Sequence, residues 1–453
     1  MKNIVCWRKE FFLVGMIVFL MLMMSACSDK TTNYSFNGDD THRTEQTGIT
    51  TAITAIIDGI INNNTQPDVG FSNFQAASVV IGQANFNGNS VNQGGAVGAN
   101  TLNYPYGKPV VYNGILYVTD YGNNRVLGFN TVPTSNNASA DFVLGQPGLG
   151  DSGPGNAANQ MYGPLTVTAS NGKLFVTDYA NSRILIWNSA PTTSNKYADV
   201  VVGQTGFGVS NPSCTQTGLN YPYSISTPGG KLIVADENNN RVLIWNTIPT
   251  TNGAPADVVL GQSDFTHHAP NDDNQDNSYD GAPTARTLYE PTDVWSDGTK
   301  LIVADNYNNR VLIWNTFPTA NFTPADVVLG QSDFTHHTPN DDNQDGSYDG
   351  PTARTFYYPT YIDSNGTQLF VTDYENHRVL IWNTFPTANF TPADVVLGQS
   401  DFTHNVYNDD NQDGSTDGPT ARTLYYPAGV YLFETKLFVT DYYNSRYLIF
   451  ESQ

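Results

Sequence analysis

The chain has 453 residues, with 20 Lys+Arg against 42 Asp+Glu, so its formal net charge is −22. A surface this acidic repels phosphate backbones and excludes nucleic acid as a partner. Of the acids 35 are Asp and only 7 are Glu, and with 39 Gly, 25 Pro and 12% aromatic residues this is an all-β composition rich in tight turns, not a helical, coiled-coil or disordered one.

The first ten residues hold a basic head, Lys2, Arg8 and Lys9, and residues 11–24 are apolar without a break. Fourteen residues fall short of a bilayer span but suit the hydrophobic stretch of a secretory signal. The stretch ends in Met24-Ser25-Ala26-Cys27, which resembles a bacterial lipobox, with Met where Leu is usual. The resemblance implies a signal peptide over 1–26, a lipid on Cys27 and a membrane partner through that anchor. Ser28, rather than Asp, implies an outer-membrane destination facing either the periplasm or the cell surface. Beyond residue 26, 17 basic and 41 acidic residues remain, a balance of −24. Cys214 is then the one cysteine left over, so no intramolecular disulfide is expected in spite of export. Residues 27–70 form a polar tether in which Ile53, Ile56, Ile57, Ile60 and Ile61 trace a short helical stripe over 51–62.

Residues 71–453 read as one repetitive domain. Asp-x-x-Asn-x-Arg occurs six times, from Asp120, Asp178, Asp236, Asp305, Asp373 and Asp441, at spacings of 58, 58, 69, 68 and 68 residues. Apolar runs flank each copy, which predicts two short strands joined by a tight turn. An aromatic closes the second run in every copy (Phe129, Trp187, Trp245, Trp314, Trp382, Phe450) and is expected in the core between sheets. A further run ends at Gln83, Gln146, Gln204, Gln262, Gln331 and Gln399, and a Pro 14 or 15 residues before each motif Asp opens a fourth. Four strands per repeat and six repeats predict a propeller or a solenoid. The first run, 79–83, is a fourth strand and the last, 447–452, a third, a phase that only a closed ring uses. The expected fold is therefore an all-β six-bladed β-propeller of four-stranded antiparallel blades, with the N-terminal strand closing the last blade.

At these residues the chain resembles the NHL-repeat propellers, whose blades carry a Val-Ala-Asp strand followed by an Asn-His-Arg or Asn-Asn-Arg turn. Asn376-His377-Arg378 matches the first form, and Asn309-Arg310 belongs to the second. The resemblance spans 77–453 and implies the fold but little of function, since the family holds enzymes, scaffolds and RNA binders. The motif Asp and Arg are expected to pair across their own turn. Enzyme relatives of the lactonase or lyase type imply a metal in the central channel. The acids that the inner strands offer for it are Asp293 and Asp363, with Glu290 just before them and Glu434 near an end. Against an enzyme stand the lack of His on those strands and the near-identity of repeats 4 to 6. His267, His336 and His404 occupy equal positions in three repeats and cannot converge on one ion.

The loops entering repeats 4, 5 and 6 hold five Asp each. Their Asp-x-Asn-x-Asp spacing (Asp272, Asn274, Asp276; Asp341, Asn343, Asp345; Asp409, Asn411, Asp413) is followed by Asp280, Asp349 and Asp417. This matches the front half of an EF-hand-like loop and suggests calcium, although the closing Glu is missing. The function expected is an exported, lipid-anchored binding or scaffold module of the cell envelope, with calcium as the cofactor that the loop spacing suggests. Its partner would be an envelope protein or a glycan; the alternative is the metal-dependent propeller enzyme.

Overall fold

The computed structural model describes residues 68–453. The signal segment, Cys27 and the helix expected at 51–62 lie outside the described residues. The packed chain starts slightly before the expected boundary at 71. Val69 is already buried, and its backbone exchanges two hydrogen bonds with the Gln368 side chain (2.8 and 2.9 Å).

Twenty-four strands form six four-stranded antiparallel sheets. Blade 4 shows the plan. β14 (Pro291–Ser296) is innermost, followed outward by β15 (Leu301–Asp305), β16 (Arg310–Trp314) and β17 (Val327–Leu329). Blade 6 consists of β22 (Pro427–Phe433), β23 (Lys436–Asp441) and β24 (Arg446–Glu451), completed by β1 (Val79–Ile81) in the register Val79↔Ile449. The ring closes as the repeat phase requires. The closure extends beyond the strand, because Asn73 and Phe74 replace a loop that the other blades carry within themselves. Asn73 Oδ1 accepts the Val396 amide at 3.0 Å, as Asn321 does for Val259 and Asn389 for Val328, both at 3.1 Å. Arg422 covers the Phe74 ring just as Arg286 covers Phe322 and Arg354 covers Phe390.

Each blade boundary holds its own apolar cluster, six in all, built from the alternate β-branched and aromatic residues of facing sheets. The closing aromatics Trp187, Trp245, Trp314 and Trp382 lie within these clusters, at most 2% exposed. Antiparallel order also sorts the connections onto two faces. The short inner hairpins and the third-to-fourth-strand loops share one, here called the hairpin face. The Asp-x-x-Asn-x-Arg turns and the long loops between blades share the other, the motif face.

Blade 1 departs from the plan. Its Pro lies 15 residues before the motif Asp, where the other blades have 14. The extra residue detaches the start of the inner strand, so that β2 is only Val110–Tyr112, and residues 106–108 enter the axis of the ring. Gly107 donates to Ala428 O at 2.6 Å, and a Cβ on Gly107 would lie 1.8 Å from Leu165 O. Only glycine fits between those two backbones. Among the described residues no helix is long and apolar enough to cross a membrane.

Candidate functional site

The motif residues build the motif face. In blade 4, Asp305 Oδ2 accepts Arg310 Nε at 2.7 Å and Asn308 Nδ2 at 2.8 Å. Its Oδ1 accepts the Tyr289 amide at 2.7 Å, which fixes the chain two residues before Pro291. Arg310 spends its remaining donors on carbonyls of both flanking loops, Thr284 and Thr287 on one side and Phe334 on the other. The Asp–Arg contact recurs at 2.7 Å in all six blades, with both side chains shielded from solvent. The expected pairing across the turn is present, and the guanidinium also holds the loops.

Each motif turn ends on a left-handed residue: Asn124, Ser182, Asn240, Asn309, His377 or Ser445. The side chain of that residue accepts the amide just before the next blade's Pro. Asn240 Oδ1 takes Glu290 N at 2.8 Å, Asn309 Oδ1 takes Tyr358 N at 2.9 Å, and His377 Nδ1 takes Tyr426 N at 3.2 Å. Burial pushes the His377 pKa down to about 3, so the ring stays neutral and able to accept. The pre-proline residues so held are themselves left-handed: Tyr104, Gly163, Tyr221, Glu290, Tyr358 and Tyr426. Five of these are not glycine, and backbone of this kind costs roughly 1–3 kcal/mol per residue. The cost sets large side chains against the preceding blade's turn.

A belt of tyrosines around the axis results. Tyr221 meets Tyr179 with ring centroids 4.9 Å apart, Tyr358 meets Tyr307 at 5.1 Å, Tyr426 meets Tyr374 at 4.5 Å and Tyr104 meets Tyr442 at 5.5 Å. Two boundaries differ. At Gly163 a Cβ would strike the Tyr121 ring at 2.7 Å. Between blades 3 and 4 the pair is Glu237 with Glu290, and each carboxyl is pushed up by burial. Glu237 is 9% exposed, accepts Tyr179 Oη at 3.0 Å and reaches a pKa of about 8, with Glu290 adding to the rise.

Below the belt the axis is filled. Tyr106, Tyr223 and Tyr361 lie in mutual contact at 5.6–6.2 Å, and the Tyr223 hydroxyl bonds that of Tyr106 at 2.5 Å. Beneath them Lys108 Nζ donates to Asp293 Oδ2 at 2.8 Å and to Ile362 O at 3.1 Å. Asp293 also accepts Ser224 Oγ and the Ile362 amide. Asp363 accepts the Leu432 amide at 2.6 Å, and burial raises its pKa to about 6 against the pull of Lys108. The structure thus places both inner-strand acids around a lysine from blade 1, inside a solvent-excluded core.

In the acidic loops the oxygens that calcium would need are turned onto backbone amides. Asp341 accepts Asp345 N (3.1 Å) and Gly346 N (2.8 Å), and Asp272 and Asp409 do the same with Asp276 and Asn277, and with Asp413 and Gly414. Asn274, Asn343 and Asn411 accept the amides of Asp276, Asp345 and Asp413. Asp280, Asp349 and Asp417 accept the amides of those same Asn residues. Among the described residues no three His, Cys, Asp or Glu side chains are grouped to hold a metal. As arranged, the loops do not fit a calcium ion. They are instead pinned to the motif turns by paired amide bonds, Asn271 to Asn308, Asn340 to Asn376 and Asn408 to Asn444. His267, His336 and His404 each contact the Asp three residues earlier in its own loop.

Sequence reasoning missed the belt and Lys108. The signal for the belt was a Tyr within two residues before every blade-opening Pro; the signal for Lys108 was the one-residue surplus in blade 1.

No family model and no curated protein matches the chain. Among solved structures it is similar to an inactive virginiamycin B lyase from Staphylococcus aureus (14% identity, 76% of this chain and 94% of that one, TM-score 0.38). It is also similar to Kuenenia stuttgartiensis hydrazine synthase (11% identity, 85% and 98%, TM-score 0.40) and to the computationally designed Ika8 protein (6%, 76% and 70%, TM-score 0.34). None of these likenesses is of a degree at which an activity transfers.

The raised Glu237 pKa has a consequence for stability. The folded chain keeps this proton up to about pH 8, whereas the unfolded chain loses it in the ordinary glutamate range. Stability should therefore fall as pH rises through that window and level off above it. Glu237→Gln should flatten the fall, an effect on the order of a few kcal/mol between about pH 5 and about pH 9 in urea unfolding. A wild type and variant with parallel profiles would place the Glu237 carboxyl in solvent.

Proposed function

We propose that the protein is an exported, lipid-anchored binding module of the cell envelope, with the tyrosine belt on the motif face as its recognition surface. One observation carries this reading. The exposed large apolar side chains of the described residues are Tyr104, Tyr162, Tyr197, Tyr279, Tyr307, Tyr348 and Tyr443, and all but Tyr197 belong to the motif face. Tyrosine in such numbers offers rigid, amphipathic contact area at little entropic cost. The strained backbone beneath the belt supports the same reading, since such strain gathers where a surface has a task.

The point at which the described chain enters the ring supports this reading. Asp68 and Val69 join the ring at Thr367 and Gln368, beside the inner hairpin of blade 5, on the hairpin face. The described chain thus enters the ring on the face opposite the tyrosine belt, which supports the motif face as the one left clear for a partner. Lysines favour the same arrangement: Lys173, Lys196, Lys231, Lys300 and Lys436 lie in the hairpins and loops of the hairpin face, and none of the described lysines lies on the motif face.

The competing reading is a lactonase- or lyase-like enzyme with a metal in the axis. It has less support, because a cation at Asp293 would have to displace Lys108 Nζ. A photo-crosslinking residue placed at Tyr307 or Tyr443, compared with one at Lys231 or Lys300, tests the module in intact cells. Adducts are expected from the tyrosine positions and not from the lysine positions. Equal yields from both faces, or none from either, would contradict it.

Calcium stabilisation of the acidic loops is a weaker proposal, supported by oxygen donors at alternate positions and opposed by the amides those oxygens already hold. The loops as folded should give the same melting temperature in calcium and in chelator. A rise of several degrees in calcium would show that they reorganise around the ion.

A further inference from the structure

Lys108 is carried inward by the extra residue of blade 1, and its side chain is 10% exposed, against 0% for that of Asp293. Its Nζ lies 2.8 Å from Asp293 Oδ2 and 3.1 Å from Ile362 O. Asp363, the other acid near it, turns to the Leu432 amide at 2.6 Å, so the lysine hydrogen-bonds one carboxyl. The two partners come from blades 1 and 4, on opposite sides of the ring, and meet beneath the axial tyrosines.

The surroundings of the pair are those of a reacting carboxyl as well as of an ion pair. The Ile362 amide donates to Asp293 Oδ2 at 2.7 Å, and the Ser224 hydroxyl donates to Oδ1. One carboxyl oxygen therefore faces a fixed backbone donor, which stabilises the negative charge that develops there when the carbon is attacked. The other faces a hydroxyl able to hand it a proton. The Tyr361 ring stands with its centroid 6.0 Å from Nζ, and Tyr106 and Tyr223 pack against that ring. In a core this dry a separated charge pair is costly, and burial pushes the Asp293 carboxyl toward its protonated form. Passing one proton along the 2.8 Å hydrogen bond leaves a neutral amine, a nucleophile, held against a carboxylic acid.

We propose that Lys108 and Asp293 condense to an amide that staples blade 1 to blade 4 across the axis. The bond that forms joins Lys108 Nζ to Asp293 Cγ, and the bond that breaks is Cγ–Oδ1. Two of the three ammonium protons leave with Oδ1 as one water, and the third stays on the amide nitrogen. No oxidant, reductant or other co-reactant enters the balance. Oδ2 becomes the amide oxygen and keeps the Ile362 amide as its donor, while the nitrogen keeps the Ile362 carbonyl as its acceptor. Ser224 is the catalytic residue, because its hydroxyl touches the departing oxygen. A solvent-excluded core then protects the bond from hydrolysis.

Mass spectrometry on the full chain, unfolded completely and then digested, tests this. The expected product is a branched peptide joining the segments that contain Lys108 and Asp293, lighter than the two together by one water. In the unfolded protein an amine-reactive reagent should label Lys231 and Lys300 but not Lys108. Lys108→Arg keeps the charge beside Asp293 and cannot form the amide, so the branched peptide should vanish. Ser224→Ala is a small change at a buried position and should lower the linked fraction about tenfold or more at a fixed time after synthesis. Labelling of Lys108 as complete as that of Lys231, or a branch at Asp363 in place of Asp293, would overturn the proposal and leave an ion pair only. A linked fraction that Ser224→Ala does not change would overturn the catalytic role of Ser224.

Discussion

Everything on the motif face hangs from a buried ion pair made six times. An isolated Asp and an isolated Arg, each 0% exposed, would cost the fold several kcal/mol apiece. Here the cost is offset because no donor is wasted. The carboxylate takes Arg Nε, Asn Nδ2 and a backbone amide, and the remaining guanidinium hydrogens go to carbonyls of two loops. The pair adds little stability beyond what an apolar core would give, and its contribution is position. It fixes where the inter-blade loop passes and where the chain stands two residues before each Pro. The left-handed residues, and the tyrosines they carry, follow from that placement.

Such a construction explains why a nearly repetitive ring can hold a particular site. The framework is the same at each boundary, so one substitution at a framed position changes the chemistry of the rim without disturbing the fold. Glu290 stands at the pre-proline position that four other blades fill with a left-handed Tyr, and its amide is held in the same way, by the Asn240 side chain. The axis follows a related rule. One residue added to blade 1 frees a short segment, and Gly107 lets it cross close to blades 2 and 6. Lys108 then neutralises an Asp that no other blade possesses at that place. The axis is thereby a packed core, and the tyrosine belt above it forms the mouth of the ring.

The parts legible in the sequence were those written locally and repeatedly. The strands around Asp-x-x-Asn-x-Arg, the Pro-opened inner strands and the offset closing strand all have short-range signatures, and all appear in the fold. The Asp–Arg contact was legible for the same reason, being five residues long. The mouth was not, because its partners are brought together by the ring. Glu237 and Glu290 are separated by a whole inter-blade loop, and a Tyr before Pro reads as ordinary core until left-handed backbone turns it outward. The acidic loops carry a spacing that admits two readings. Asp-x-Asn-x-Asp matches an ion-binding spacing, yet the same side chains at the same spacing cap the amides of their own turn.

The central claim is that the motif pairs position the mouth rather than merely stabilise the blades. Hydrogen–deuterium exchange on Arg310→Leu addresses it directly, since that guanidinium bonds the loops entering blades 4 and 5. The account predicts that the amides of Tyr289 and Glu290 and of residues 332–338 lose protection, while β14, β15 and β16 keep theirs. Uniform loss across blade 4, or no change at Tyr289 and Glu290, would contradict it.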